Sequence, residues 1–452
     1  MVIIKWINQD KIITCSWYLV QNQVKNGHLI NQIQVWLIFL SLACITIFLL
    51  VGHLNNNPVF SQEEKYEQVN ISDSRLKFEV VASGFDFPTG MAIIGPSDFL
   101  VIEKNTGNVI RIQNGIVLDK PLLTVSVANQ SERGLLGIAA TDEGTKPRYV
   151  FLYYTESTRS NHETALGNRV YRYELVDNKL IKPKLLLDLP SFPGLSHDGG
   201  VLKIGPDKKT LYLVIGNVNY AQNVTYMTRA QNVKSGPQPD GRGGVLRITF
   251  DGGVVGGKGI LGNFKPLSLY YGYGLRNSFG IGFDPLTRNL WDTENGQKTD
   301  DEVNLVKPGF NSGWKVIQGS SQIKYMDRTD LETFNGKGVY RDPEFDWVDT
   351  VAPTSVLFFT SNKLGNDYTN DLFIGSVHNG TIYHFDLTKD REHLDLKGPL
   401  ADKVANSPEE SEELVFAKGV GLITDLEVGP DGNLYVLSFP KHDGTIFRIS
   451  TR

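Results

Sequence analysis

GLRNSFGIGFDPLTRNLWDTENGQKTDDEVNLVKPGFNSGWKVIQG, residues 274–319, is the stretch that decides the fold. An Arg-Asn pair ends one turn and an apolar strand follows. An Asp-Pro turn leads to a second strand. Next come a Glu-Asn-Gly-Gln turn, an acidic triplet that opens a third strand, and a Gly-Trp close. Short strands separated by Gly, Asn, Asp and Pro read as one antiparallel unit of a larger repeating sheet protein.

The same unit recurs outward in both directions. PTGMAIIGPSDFLVIEKNTGNVIRI (88–112) and ITDLEVGPDGNLYVLSFPKHDGTIFRI (423–449) are clear copies. A third is GGVLKIGPDKKTLYLVIGN (199–217), closed by GGVLRITF (243–250). Looser copies fall at 135–175 and 352–387. This pattern predicts an all-β, six-bladed β-propeller over 75–452. RLKFEVV (75–81) is expected to join the last blade and close the ring, which hides the sheet edges. Two β-sandwiches are the alternative, and the recurrent strand–turn–strand unit argues against them. A chain of 452 residues exceeds one ordinary core, whereas a propeller grows by radial repetition.

The net charge of −5 comes with no basic stripe, so nucleic acid is an unsuitable partner. Both cysteines, Cys15 and Cys44, precede the repeats, which excludes a cysteine-based metal site or disulfide framework in the main body. Residues 35–52, VWLIFLSLACITIFLLVG, are uncharged, apolar and about long enough to span a bilayer. A buried core helix is the plainer alternative. Lys5, Lys11 and Lys25 precede the run, while Glu63 and Glu64 follow it. The expected layout is a cytoplasmic segment 1–34, a transmembrane helix 35–52, a linker 53–74, and a propeller 75–452 on the extracytoplasmic side.

Three constellations carry candidate chemistry. His197, in SHDGG at an inner-strand entry, is one of only eight histidines and suits a general base. On spacing alone a surface-loop histidine is the plainer reading. Arg276 and Asn277 offer a guanidinium fork and an amide to an anionic, carbonyl-bearing ligand, or else brace a turn. The Glu294-Asn295-Gly296-Gln297 turn with Asp300, Asp301 and Glu302 suits a hard cation such as calcium, although a solvated acidic hairpin describes it locally. GKGILG (257–262) matches a dinucleotide-loop pattern but has no following helix.

The strings SERGLLGIA (131–139), SHDGGVLKIGPD (196–207), GLRNSFGIGFDP, ENGQKTDDEVNLV and NSGW stand in an order that resembles the glucose/sorbosone dehydrogenase family. These are soluble quinoproteins using pyrroloquinoline quinone (PQQ), and the resemblance covers about residues 77–450. It implies oxidation of an aldose at C1 to the lactone, with an external electron acceptor. It further implies His197 as the base, Arg276, Asn277 and Asn295 at the quinone, and calcium on main-chain carbonyls of Gly296 and Gln297. Glu132 falls near a sugar contact. A lysine and two arginines that pair with cofactor carboxylates in well-known members fall here on His378, Leu422 and Thr424. An aspartate that orients the base falls on Asn217. These departures motivate the competing reading, a non-catalytic cell-surface propeller that binds a sugar or protein. A calcium-dependent lactonase-type hydrolase finds no ligand set beyond Asn217, Asn219 and the acidic turn.

Overall fold

The computed structural model describes residues 4–8, 11–15, 69–142, 144–158, 161–219, 223–324, 326–439 and 443–452. The expected transmembrane helix 35–52 and linker 53–68 lie outside them. Among the described residues no helix is long and apolar enough to cross a membrane. Within the predicted cytoplasmic segment, Ile4–Asn8 and Lys11–Cys15 pair as an antiparallel hairpin. It belongs to a unit separate from the one that holds Gln68–Arg452.

The second unit is an all-β propeller. Its described strands form six sheets, and each is antiparallel through its first three strands. The inner strands are Pro88–Gly95, Leu135–Ala140, Leu202–Ile204, Ser278–Phe283, Pro353–Phe358 and Leu422–Val428. Each touches the next in this order, and the sixth touches the first. The N-terminal strand Leu76–Phe85 pairs with the C-terminal strand Gly444–Thr451, with Phe447 opposite Val80 and Thr451 opposite Leu76. Chain ends are thereby locked into one sheet, and the expected closure holds.

Inner strands approach so closely that some positions admit no side chain. A Cβ on Gly137 would lie 1.9 Å from the Gly200 carbonyl oxygen, and one on Gly280 would lie 1.8 Å from that of Thr354. Between the sheets, Trp291, Trp347, Phe345 and Tyr153 are fully buried, so apolar faces meet where blades stack. Lys203, on the third inner strand, donates to Glu427 on the sixth at 2.6 Å. This ion pair joins inner strands that stand opposite each other in the ring order. The entry loops of the inner strands are left to form a mouth on one face.

Candidate active site at the propeller mouth

The backbone turns sharply at the third inner strand's entry. His197 has φ 66° and Gly199 has φ 67°. A left-handed conformation is uncommon for histidine and marks a position fixed by its surroundings. Its N–H donates to Glu132 Oε2 at 2.6 Å, and its ring Nδ1 lies 2.7 Å from Asn217 Oδ1. The Asn219 N–H also donates to Asn217 Oδ1 at 3.0 Å. That oxygen is therefore the acceptor, Nδ1 carries the proton, and Nε2 keeps its lone pair. His197 is only 2 % exposed. Burial first, and the Arg276 charge second, push its pKa down to about 4. The imidazole is neutral across the physiological range.

Arg276 joins this corner to the turn. Its carbonyl accepts the Asn217 N–H at 2.8 Å, while its Nη1 donates to the carbonyls of Asn295 at 2.7 Å and Gly296 at 2.8 Å. The guanidinium also lies 5.6 Å from the Trp314 ring. Asn295 donates its N–H to the Asn277 carbonyl at 2.9 Å. Asn277 is buried, and its side-chain oxygen has no hydrogen-bond partner among the described residues. One contiguous set of contacts thus gathers Glu132, His197, Arg276, Asn277, Asn295 and Gly296. Gln297 sits at the exposed rim, where its N–H donates to Gln318 at 3.2 Å.

The acidic triplet is not a solvated hairpin. Asp300, Asp301 and Glu302 are 3 %, 1 % and 4 % exposed. Asp301 accepts the Gly296 N–H at 2.8 Å and the N–H groups of Val351 and Ala352 at 2.7 and 2.8 Å, so it braces the turn. Local composition suggested solvent, but packing of this strand against Phe345–Asp349 covers it. Burial raises the pKa of Glu294 and of Glu302, and the nearby Asp292 and Glu294 charges respectively reinforce the shift.

A cavity of about 220 Å³ opens beside this set. Phe87, Phe279 and Phe439 give it a flat apolar wall, and Glu132 and Lys104 supply its charges. Lys104 was missed in the sequence. It lies just past the strand Asp98–Glu103, at the channel end of the first clear repeat, and that end was its only signal. Burial depresses its pKa. Leu422 and Thr424 line the same cavity and bring no charge, while His378 lines a larger neighbouring hollow of about 840 Å³, with Nδ1 2.8 Å from the Thr350 carbonyl.

The donor set suits a flat, polyanionic quinone with a hard cation. Lys104 and Glu132 line the cavity, the Arg276 guanidinium sits in the adjoining set on the Asn295 and Gly296 carbonyls, Asn277 Oδ1 lacks a hydrogen-bond partner among the described residues, and the cavity wall is aromatic. Carbonyl oxygens have two lone pairs, so Gly296 can accept from Arg276 and still ligate a cation.

A family model described as Glucose / Sorbosone dehydrogenase matches residues 85–448. The aldose sugar dehydrogenase YliI of Escherichia coli is 24% identical over 383 residues, covering 83% of this chain and 93% of that protein. Quinoprotein glucose dehydrogenase B of Acinetobacter calcoaceticus is 26% identical over 314 residues, covering 62% of this chain and 64% of its own length. The PQQ-bound structure of an aldose sugar dehydrogenase from Streptomyces coelicolor superposes with a TM-score of 0.59 at 23% identity, over 84% of this chain and 99% of that one. At that identity it supports the fold.

Proposed function

This chain belongs to the glucose/sorbosone dehydrogenase family, and from that premise we propose that it is a PQQ- and calcium-dependent enzyme oxidising an aldose at C1 to the lactone. The observation that carries this reading is the buried, neutral His197 with Nδ1 engaged by Asn217. We read the six sheets as six blades around one site, with the base in the third and the cofactor contacts in the fourth.

Arg276, Asn277 and Asn295 would hold the quinone, and the carbonyls of Gly296 and Gln297 would hold calcium. Bound PQQ with its calcium supplies a hydride acceptor for the sugar's C1 hydrogen. His197 Nε2 takes the C1 hydroxyl proton. Asn217 holds the ring tautomer that leaves Nε2 basic, and Glu132 fixes the backbone of the base through the His197 N–H. Lys104 and Glu132 offer a cation and a carboxylate to sugar hydroxyls. The aromatic wall excludes water from the transfer.

The direct test adds PQQ and calcium to the purified propeller and follows dye reduction with a panel of aldoses. Turnover should vanish after dialysis against a chelator and return when calcium and PQQ are restored. No turnover with any aldose and no cofactor-induced absorbance change would refute the reading. His378, Leu422 and Thr424, none of them a lysine or an arginine, favour one rival, a binding propeller. Calorimetry showing glycan binding without PQQ binding would select it. We also place the propeller outside the cytoplasm, tethered by residues 35–52, and fractionation of a tagged full-length chain checks this.

Asn217 yields a pH prediction. Activity requires neutral His197, so it should hold down to about pH 4 and fall below that. Asn217→Asp places a carboxylate at Nδ1, stabilises the imidazolium and raises the pKa by roughly a unit or more. The acid limb of kcat/KM should then move to higher pH. An unchanged limb would mean that another group sets it.

A further inference from the structure

The fifth blade carries a second cluster of ligand-type side chains, at the end remote from the mouth. Its strands Leu372–Ser376 and Ile382–Phe385 run antiparallel, with Leu372 opposite Phe385 and Phe373 opposite His384. Asp371 and Asp386 flank these strands at one end. Side chains alternate between faces along a strand, so Asp371 shares a face with Phe373, and Asp386 with His384. The pairing of Phe373 with His384 makes these the same face. His384 Nε2 lies 3.3 Å from Asp371 Oδ2 and 3.7 Å from Asp386 Oδ1. One ligand atom from each of the three residues falls within 4.8 Å of the others. His378, on the mouth side, follows the opposite end of Leu372–Ser376, a strand length of about 16 Å away.

The spacing suits a bound ion better than a direct ion pair. A charged N–H···O bond normally closes to about 2.7–2.9 Å. Two ligands held at tetrahedral angles around zinc, with bonds of about 2.0–2.2 Å, stand roughly 3.3–3.6 Å apart. The separations of 3.3 and 3.7 Å lie close to the second range and outside the first. The two carboxylates also face each other across a strand pair, which costs stability unless a cation lies between them.

The imidazole is fixed on two sides. The Tyr368 ring meets it at 5.2 Å and 76°, and the Phe373 ring lies against it at 4.9 Å. Tyr368 is anchored in turn, because its hydroxyl donates to Asp73 Oδ2 at 3.0 Å. Asp371 and His384 are mostly covered, whereas the Asp386 side chain is 57% exposed. The cluster is thus walled by aromatic rings on one side and open to water on the other. Lys397, whose charge reaches Asp386, is held by Asp395 at 3.2 Å and points into solvent, so it leaves the gap between the three ligands clear.

The donor chemistry selects the ion. One imidazole nitrogen with two carboxylates suits zinc, while calcium and magnesium take shells built from oxygen alone. We propose that Asp371, His384 and Asp386 form a zinc site at the far end of the fifth blade, with water completing the shell. The ion ties the ends of two neighbouring strands together and stabilises the blade. The site is separate from the calcium turn at the mouth and does not depend on the oxidation reading above.

The test titrates Zn2+ into chelator-treated protein by calorimetry, with Ca2+ and Mg2+ in parallel, for wild type, Asp386→Asn and His384→Phe. Wild type should bind one Zn2+ per chain, roughly tenfold or more tighter than either other ion. Each variant should weaken zinc roughly tenfold or more. Saturating zinc should raise the melting temperature of wild type and leave both variants unmoved, since an ion that binds only the folded state stabilises it. His384→Phe keeps the ring packing without a ligand atom. If it fails to fold, Asp386→Asn, at an exposed position, still decides the matter. Anomalous scattering from a zinc-soaked crystal should place the ion between the three side chains. Absence of zinc binding overturns the site. So does zinc binding that survives both substitutions, or calcium binding there as tightly as zinc.

Discussion

His197→Ala should lower kcat by roughly 10²–10⁴-fold, the usual contribution of a positioned general base. The expected loss is in kcat rather than in cofactor binding, because the imidazole is the proposed base, whereas Arg276, Asn277 and Asn295 are the proposed cofactor contacts. The quinone absorbance should therefore persist in the variant, and a rapid-mixing experiment should show it unreduced by sugar. His197→Gln is the sharper comparison. It keeps much of the volume and can still meet Asn217, yet it has no basic nitrogen. If glutamine also abolishes turnover, proton removal is the missing function. If the glutamine variant retains most of the rate, water or Glu132 serves as base, and the engaged Nδ1 of His197 has only a structural purpose. The left-handed backbone at His197 adds a structural check. Alanine tolerates φ 66° no better than histidine, so each variant needs its melting temperature beside its rate.

The repeat was legible because the propeller writes its turns into the sequence. Asp-Pro, Pro-Asp-Gly and Asn-Gly turns between apolar runs located the inner strands to within a few residues. The closing strand was readable too, since RLKFEVV had no partner of its own in sequence. Site residues were legible only where motif order carried them. Nothing local distinguishes His197 from a loop histidine; its character comes from Asn217, twenty residues on, and from Arg276 in the next blade. Asp300, Asp301 and Glu302 looked solvated because burial here is created by strands far along the chain, Phe345–Asp349 among them. Lys104 was invisible for the same reason: it acquires meaning from loops that the ring brings together, and no spacing rule encodes that proximity.

Arg276→Ala should produce the largest combined effect. The guanidinium makes two bonds, to the carbonyls of Asn295 and Gly296, that hold the turn in place. Removing it leaves two acceptors unpaired, at a cost of about 1–3 kcal/mol each where they stay dry. Calorimetric melting should register this as a clear drop in stability. Binding should suffer more, because the proposed quinone is anionic and Arg276 is the charge that joins the base to the turn. Loss of charge-assisted bonds worth about 1.5–3 kcal/mol corresponds to roughly 10–100-fold in PQQ affinity, measurable by fluorescence titration. Arg276→Lys should recover part of the affinity, since it keeps the charge but cannot reach both carbonyls with one fixed fork. A third consequence separates charge from packing. Arg276 helps to depress the His197 pKa, so its removal lets that pKa rise from about 4 toward its ordinary value. The acid limb of any residual activity should climb in Arg276→Ala and stay near wild type in Arg276→Lys. A variant that binds PQQ normally, with an unmoved acid limb, would show that the guanidinium merely braces the turn, and the cofactor would have to be held elsewhere in the mouth.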